Sequence, residues 1–254
     1  MRKRRFLAVV LLGATLTVSA QSQEDSVQVV VDYQDTPFRA QQLILPSALV
    51  AVGAFGVENG WFCGLKNDVR DGFQDMRGDN RFRIDDKLQY LPVVANVGLG
   101  LAGVSSRHPL RERIAATATA YAALGAFVNI TKYTVKEKRP DSGARNSFPS
   151  GHTATAFMGA ELVREEYGNA YGAGAYAIAT TIAFLRLYND RHWLNDVIGG
   201  AGVGMLSARV GYWLLPWERH LFGWDKKKAG PTVAVVPAYQ PEHHAPMLCV
   251  AASW

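Results

Sequence analysis

The stretch NSFPSGHTATAFMGAE, residues 146–161, changes from turn-forming residues to a helical pattern within a few positions. Ser150 is placed as the N-cap of that helix, because serine is favoured where a helical run begins. Backbone N–H groups and the positive end of the helix dipole attract anions at such a start, and Gly151 allows a ligand to approach the backbone closely. We therefore predict an anion site there with His152 beside it; the alternative is an ordinary N-cap with a surface histidine.

Apolar stretches around this segment predict an all-α fold, a bundle of about six helices with the anion site at one end. They are rich in Ala, Gly and Thr, which suits a membrane bundle and a soluble helical core equally well. The first, interrupted by Pro46, is interpreted as a re-entrant or packed helix. If the helices span a membrane, the basic loops 107–113 and 225–228 belong on its cytoplasmic side. Four stretches have no charged residue and the fifth contains Arg209: 40–57, 88–106, 114–131, 167–185 and 197–215.

Both ends of the chain differ from this apolar centre. Residues 1–20 combine four basic residues, an apolar run and small residues before position 21, the pattern of a secretory signal peptide; an uncleaved anchor is the alternative. Residues 21–39 are expected to form a polar leader, 40–222 a helical domain and 223–254 a tail whose two β-branched-rich runs are compatible with a short hairpin. We therefore expect an exported protein.

Export also removes most of the net charge. The full chain has 27 Lys and Arg against 22 Asp and Glu, a formal charge of +5. Loss of residues 1–20 takes away four basic residues and no acidic one, which leaves +1. No basic excess remains to neutralise a nucleic-acid backbone, so nucleic acid is not expected as a partner.

Two further polar clusters interrupt the apolar stretches. In KYTVKEKRP (132–140), Lys132 and Arg139 are seven residues apart, so on a helix both cations lie on one face. In RLYNDRHWLNDVIGG (186–200), Arg186 precedes His192 and Asp196, whose i, i+4 spacing lets the carboxylate hold Nδ1–H and leave Nε2 free. Taken singly, the first could be a solvated basic helix end and the second a structural His–Asp pair.

Together the three clusters match the requirements of phosphoryl transfer without a metal. Fixed cations and helix-start N–H groups spread the phosphate charge, while a nucleophile must attack in line and a general acid must protonate the leaving oxygen from the opposite side. No convincing metal-binding cluster of carboxylates and histidines is seen, so we expect neither a metal nor another cofactor.

The motifs K-x6-R-P (Lys132, Arg139, Pro140), P-S-G-H (149–152) and R-x5-H-x3-D resemble those of the type 2 phosphatidic acid phosphatase superfamily. This superfamily includes bacterial non-specific acid phosphatases and vanadium haloperoxidases. The resemblance covers approximately residues 88–215, and Leu185 stands where the family usually has serine. It implies an all-α helical phosphatase domain with its site at one end of the bundle.

The resemblance also implies a role for each site residue. His192 would attack phosphorus to form a phosphohistidine, Asp196 would orient it, and His152 would protonate the leaving group and then activate water. The phosphate would be bound by Lys132, Arg139, Ser150, Gly151 and Arg186.

The expected activity is hydrolysis of a phosphate monoester or diphosphate at the periplasmic face of a bacterial inner membrane, with a membrane lipid as the expected substrate. Phosphatidic acid, phosphatidylglycerol phosphate, undecaprenyl diphosphate and lipid A are the candidate substrates. A soluble periplasmic acid phosphatase, a vanadium haloperoxidase and a non-catalytic anion-binding protein are the alternatives. The sequence leaves open whether Cys63 pairs with Cys249, and it leaves the oligomeric state open.

Overall fold

A computed structural model describes residues 38–224 and the backbone of two later strands. The predicted signal peptide (1–20), nearly all of the predicted leader (21–39) and the side chain of Cys249 lie outside the described residues. The predicted all-α fold is confirmed. The described helices are α1 (Gln41–Glu58), α2 (Gly60–Arg77), α3 (Asp85–Leu88), α4 (Leu91–Leu101), α5 (Leu110–Val135), α6 (Gly151–Tyr188) and α7 (Leu194–Leu221).

The helix α7 is the centre of the helical unit, since α1, α5 and α6 all pack against it, and α4 packs on α6. One core cluster joins α5, α6 and α7 through side chains such as Leu124, Met158 and Leu215. A second cluster holds the two halves of α6 together around Ile182. The halves meet at Gly168, whose φ of 83° and ψ of −178° interrupt the helical backbone. This positive φ is a conformation that glycine adopts without the steric cost of a Cβ atom.

Glycines of α7 bring the start of α6 close to the start of α7. A Cβ atom at Gly200 would lie 2.7 Å from the carbonyl oxygen of Ser150, and one at Gly199 would strike the ring of Phe148 at 2.5 Å. The sequence IGG at 198–200 therefore lets the PSG turn lie directly against α7. This contact places the first turns of the two longest helices side by side.

The first helix, α1, is regular over 18 residues in spite of Pro46. Its buried positions, Pro46, Gly53 and Gly56, face α7, where a Cβ atom on Gly53 would lie 2.6 Å from the Cα atom of Gly199. Ile44 and Phe55 on the other side are exposed. Among the described helices, α1 and α5 are long and apolar enough to cross a membrane, and each is mostly unburied by the rest of the unit.

The tail contains an antiparallel pair of strands, β1 (Thr232–Gln240) and β2 (Ala245–Ser253). Thr232 pairs with Ser253 at the open end, and Gln240 pairs with Ala245 next to the turn. These are the two runs for which the sequence left a hairpin possible.

The contact between α6 and α7 can be tested at Gly204. A Cβ atom there would collide with the carbonyl oxygen of Ala154 and lie 2.8 Å from the amide nitrogen of Met158. Because both neighbours are backbone, we expect Gly204→Ala to lower the free energy of unfolding by about 1–3 kcal/mol. Thermal unfolding of the purified full chain measures this change.

The control is Gly174→Ala, at an exposed position inside α6 where no atom lies within 4 Å of the added Cβ. That substitution should raise the stability by about 0.5–1 kcal/mol, because alanine loses less entropy in a helix. Equal effects of the two substitutions would contradict the close helix contact.

Candidate active site

The three polar clusters meet where α6 and α7 begin. The backbone N–H of Ser150, just before α6, donates a hydrogen bond to the carbonyl oxygen of Asp196 in the first turn of α7, at 3.0 Å. Ser150 is the N-cap, as predicted: its hydroxyl accepts from the amide of Thr153 at 3.5 Å, and the residue is fully buried. Gly151 follows as the first residue of α6 and is only partly buried.

His192 and Asp196 are in contact, with Nδ1 of the ring 3.2 Å from Oδ2 of the carboxylate. The expected helical i, i+4 geometry was wrong, because α7 begins at Leu194 and His192 lies in the loop before it. Asp196 occupies the third position of α7, and its Oδ2 also accepts the backbone N–H of Trp193 at 2.8 Å. The carboxylate therefore caps the helix and holds the histidine at once. With Nδ1 held, Nε2 is the ring nitrogen left for chemistry.

The pKa of His192 lies well below its usual value of 6.5. Burial is the largest cause, since an imidazolium loses its hydration there. The charges of Arg186, Arg139, Lys132 and His152 lower it further, in that order. The cationic residues singled out from three separate sequence motifs thus all act on this one ring, which keeps the imidazole neutral.

Lys132 and Arg139 converge, but not for the predicted reason. The helix α5 ends at Val135, and Lys136 adopts a left-handed backbone with φ 53° and ψ 34°, so the two cations do not share a helix face. Instead, both reach Asn146: the ammonium donates to its carbonyl oxygen at 2.5 Å and the guanidinium Nε to its Oδ1 at 2.7 Å. The turn after α5, and not helical periodicity, brings the two cations together.

Arg186 and His152 are joined by two aspartates of α3. Nη1 of Arg186 donates to Oδ2 of Asp85 at 2.5 Å and to Oδ1 of Asp86 at 3.2 Å. The same Oδ1 of Asp86 lies 3.0 Å from Nε2 of His152. Asp85 is buried, whereas the side chain of Asp86 is 54% exposed. Burial and the charge of Arg186 lower the pKa of His152, against the opposing effect of Asp86.

Sequence reasoning missed the residues that hold the site together. Asn146 and Ser147 lie just before the P-S-G-H motif, and the hydroxyl of Ser147 donates a hydrogen bond to Oδ2 of Asp196. Their position next to the motif could have identified them as site residues. Asp85 and Asp86 are far from every motif in the sequence. The only sequence feature that could have identified them as site residues is that two acidic residues are adjacent in a short polar segment.

Within residues 38–224, no group of three or more His, Cys, Asp or Glu side chains has the arrangement of a metal site. Besides the Asp196 carboxylate on Nδ1, the charges that act on His192 are those of Lys132, Arg139 and Arg186, a set that suits a tetrahedral oxyanion.

Residues 113–220 match the family described as the PAP2 superfamily. This segment is a PAP2 superfamily domain. The predicted relationship to the type 2 phosphatidic acid phosphatase superfamily is therefore confirmed for this segment. The matched segment contains all eight predicted site residues, from Lys132 to Asp196.

Among characterised relatives, a lipid A 1-phosphatase of Porphyromonas gingivalis is 36% identical over 158 residues. The match covers 59% of this chain and 36% of that protein, so it spans about a third of the relative's length.

Two crystal structures are similar to parts of this chain. LpxE of Aquifex aeolicus has a TM-score of 0.43 and 21% identity, over 56% of this chain and 92% of that one. The transmembrane PAP2 type phosphatidylglycerolphosphate phosphatase of Bacillus subtilis has a TM-score of 0.44 and 14% identity, over 72% and 98%.

The lowered pKa of His192 predicts how this ring takes up a proton, which can be measured without a substrate. We expect its imidazole to stay neutral as the pH falls through 6.5 and to take up a proton only at lower pH. Histidine nitrogen NMR over a pH titration measures this, with the resonance assigned by its loss in His192→Gln. Protonation of the His192 ring at or above pH 6.5 would contradict the burial and charge argument.

Asp86 makes a second prediction, because its carboxylate contacts two groups expected to meet an anion. Replacement by asparagine removes a negative charge there, so Asp86→Asn should bind inorganic phosphate about two- to fivefold more tightly. Titration calorimetry measures the dissociation constant. Asp79→Asn, an exposed aspartate before α3, is the charge-matched control. Unchanged or weaker binding in Asp86→Asn alone would refute this effect.

Proposed function

We propose that this PAP2 chain is a phosphatase that hydrolyses a phosphate monoester or diphosphate through a phosphohistidine, with His192 as the nucleophile. The observation that carries the proposal is the state of His192: buried, held through Nδ1 by Asp196, and surrounded by the charges of Arg186, Arg139 and Lys132. A neutral imidazole among fixed cations is a nucleophile placed where an anionic phosphate ester would bind.

In the first chemical step, the lone pair on Nε2 of His192 forms the bond to phosphorus while the ester oxygen departs with the bonding electrons. His152, on the far side of the reacting phosphate, gives that oxygen its proton. In the second step, the neutral His152 takes a proton from water, whose oxygen attacks phosphorus and displaces Nε2. Inorganic phosphate and the original protonation states result.

The phosphate oxygens are bound by Lys132, Arg139 and Arg186 together with the N–H group of Gly151 and the hydroxyl of Ser150, whose own N–H is taken by the carbonyl oxygen of Asp196. Nε of Arg186 supports this assignment, because it is buried without a hydrogen-bond partner among the described groups. These donors supply charge stabilisation from the chain itself, so the reaction as proposed uses no metal.

The substrate class we propose is a membrane lipid phosphate, with the 1-phosphate of a lipid A-type disaccharide first among the candidates. The relative from Porphyromonas gingivalis carries that activity in its name. Exposed apolar side chains on α1 and α5, among them Phe55, Ile114 and Ile130, support contact with a bilayer. A site at the end of apolar helices meets lipid headgroups at the membrane surface.

We further propose that the site faces the periplasm, with residues 40–222 as the catalytic domain and 223–254 as an appended tail. The signal-like residues 1–20 support export, and the basic segment 107–113 before α5 supports a cytoplasmic position for the opposite end of the bundle.

Inorganic phosphate release by the purified full chain tests the proposal. The panel contains lipid A, phosphatidic acid, phosphatidylglycerol phosphate, undecaprenyl diphosphate and a soluble aryl phosphate, each with EDTA present. We expect release from at least one lipid and a loss of about a thousandfold or more in His192→Ala, because the nucleophile is gone.

His220→Ala is the matched control, since it removes an exposed histidine of α7 outside the site. It should keep wild-type activity. Preference for the aryl phosphate would indicate a soluble-type acid phosphatase. Halide oxidation with added vanadate and no phosphate release would indicate a haloperoxidase and refute the proposal, as would a His192→Ala variant that remains active.

A further inference from the structure

A second carboxyl group lies next to Asp196. Glu137, in the turn after α5, accepts a hydrogen bond from Nζ of Lys66 at 2.7 Å and from Nδ2 of Asn195 at 2.9 Å. The side chains of Glu137 and Lys66 are both buried, with 7% and 9% exposed. The two contacts tie the turn after α5 to α2 and α7.

The two oxygens of Asp196 differ in what they bind. Oδ2 accepts hydrogen bonds from Nδ1 of His192, the Trp193 amide and the Ser147 hydroxyl. Oδ1 is buried and has no hydrogen-bond partner among the described side chains and backbone groups. The carboxyl group of Glu137 is within hydrogen-bonding reach of the Asp196 side chain. Two carboxyl groups form a hydrogen bond only when one of them carries a proton.

The surroundings favour Glu137 as the carrier of that proton. Its pKa is raised to about 7, first by burial and next by the charge of Asp196, against the hydrogen bonds from Lys66 and Asn195. The groups that face it are Lys66 from α2 and Asn195 and Asp196 from α7, and Nζ of Lys66 lies 5.3 Å from the ring centroid of Trp193. Asp196 has three donors on Oδ2, so it is the partner better able to remain ionised.

We propose that Glu137 is a positioning residue that shares one proton with Asp196 and thereby fixes the carboxylate that orients His192. The proposal rests on the proposed function for its catalytic consequence, but not for the shared proton itself. When the proton is present, Oδ1 is bound and Oδ2 is held towards the imidazole. When it is lost at higher pH, two buried carboxylates repel each other and the orientation of His192 is no longer fixed.

Infrared difference spectroscopy of the full chain tests the shared proton without any substrate. Between about pH 6 and about pH 8, we expect the C=O band of a neutral carboxyl group to disappear, with its midpoint near 7. The band should be absent in Glu137→Gln and unchanged in Glu58→Gln, which removes an exposed glutamate at the end of α1. Lys66→Met removes the cation that opposes protonation, so it should move the midpoint upward by about one pH unit.

Kinetics test the positioning role with the preferred substrate of the activity panel. Glu137→Ala should lower kcat by about tenfold to a hundredfold with little change in KM, because a misplaced nucleophile affects the chemical step. Glu137→Gln should recover most of that loss, since its amide donates to Oδ1 at every pH. It should also flatten the decline of kcat that the wild type shows as pH rises through about 7.

Each result has a fixed meaning. A neutral carboxyl band that persists in Glu137→Gln, or a midpoint that Lys66→Met moves downward, overturns the shared proton. Equal kcat loss in Glu137→Ala and Glu137→Gln overturns the positioning role. A band with the expected behaviour in a chain that releases no phosphate supports the shared proton and refutes the proposed function alone.

Discussion

The carboxylate of Asp196 is the interaction on which the geometry of the site depends. It caps α7 through the Trp193 amide, accepts the Ser147 hydroxyl from the loop before α6, and holds Nδ1 of His192. The carbonyl oxygen of the same residue receives the amide of Ser150. One residue thus connects the starts of both long helices to the imidazole, and the close approach that this requires explains the glycines at 199 and 200.

The sequence predicts the fold class and the site residues because both depend on local signals. The structure contains the features that these short-range patterns predict: a serine before a helical run, glycines at close contacts, and a histidine four residues before an aspartate. The sequence predicts the geometry within each pattern less accurately. His192 lies before its helix, and Lys132 and Arg139 converge across a left-handed turn at Lys136, because helix ends depend on tertiary contacts that a spacing rule does not include.

Long-range charge pairing is the part that the sequence does not predict. Glu161 and Glu165 are buried inside α6, and both pair with Arg209 of α7. Each charge would be costly to bury alone, and removal of one partner would leave the others uncompensated. A hydropathy window counts such residues as polar, although together they form a packed contact between two helices.

The candidate site also contains paired charges, of which one acidic partner is buried and the other is exposed. Arg186 is fixed by the buried Asp85 and also contacts the half-exposed Asp86, which in turn reaches His152. A buried partner holds the guanidinium in place before any ligand arrives, so little reorganisation is needed when an anion binds. An exposed partner can leave, because water replaces its contacts at low cost. The arrangement therefore keeps the cation oriented by one aspartate and leaves the other exchangeable for a phosphate oxygen.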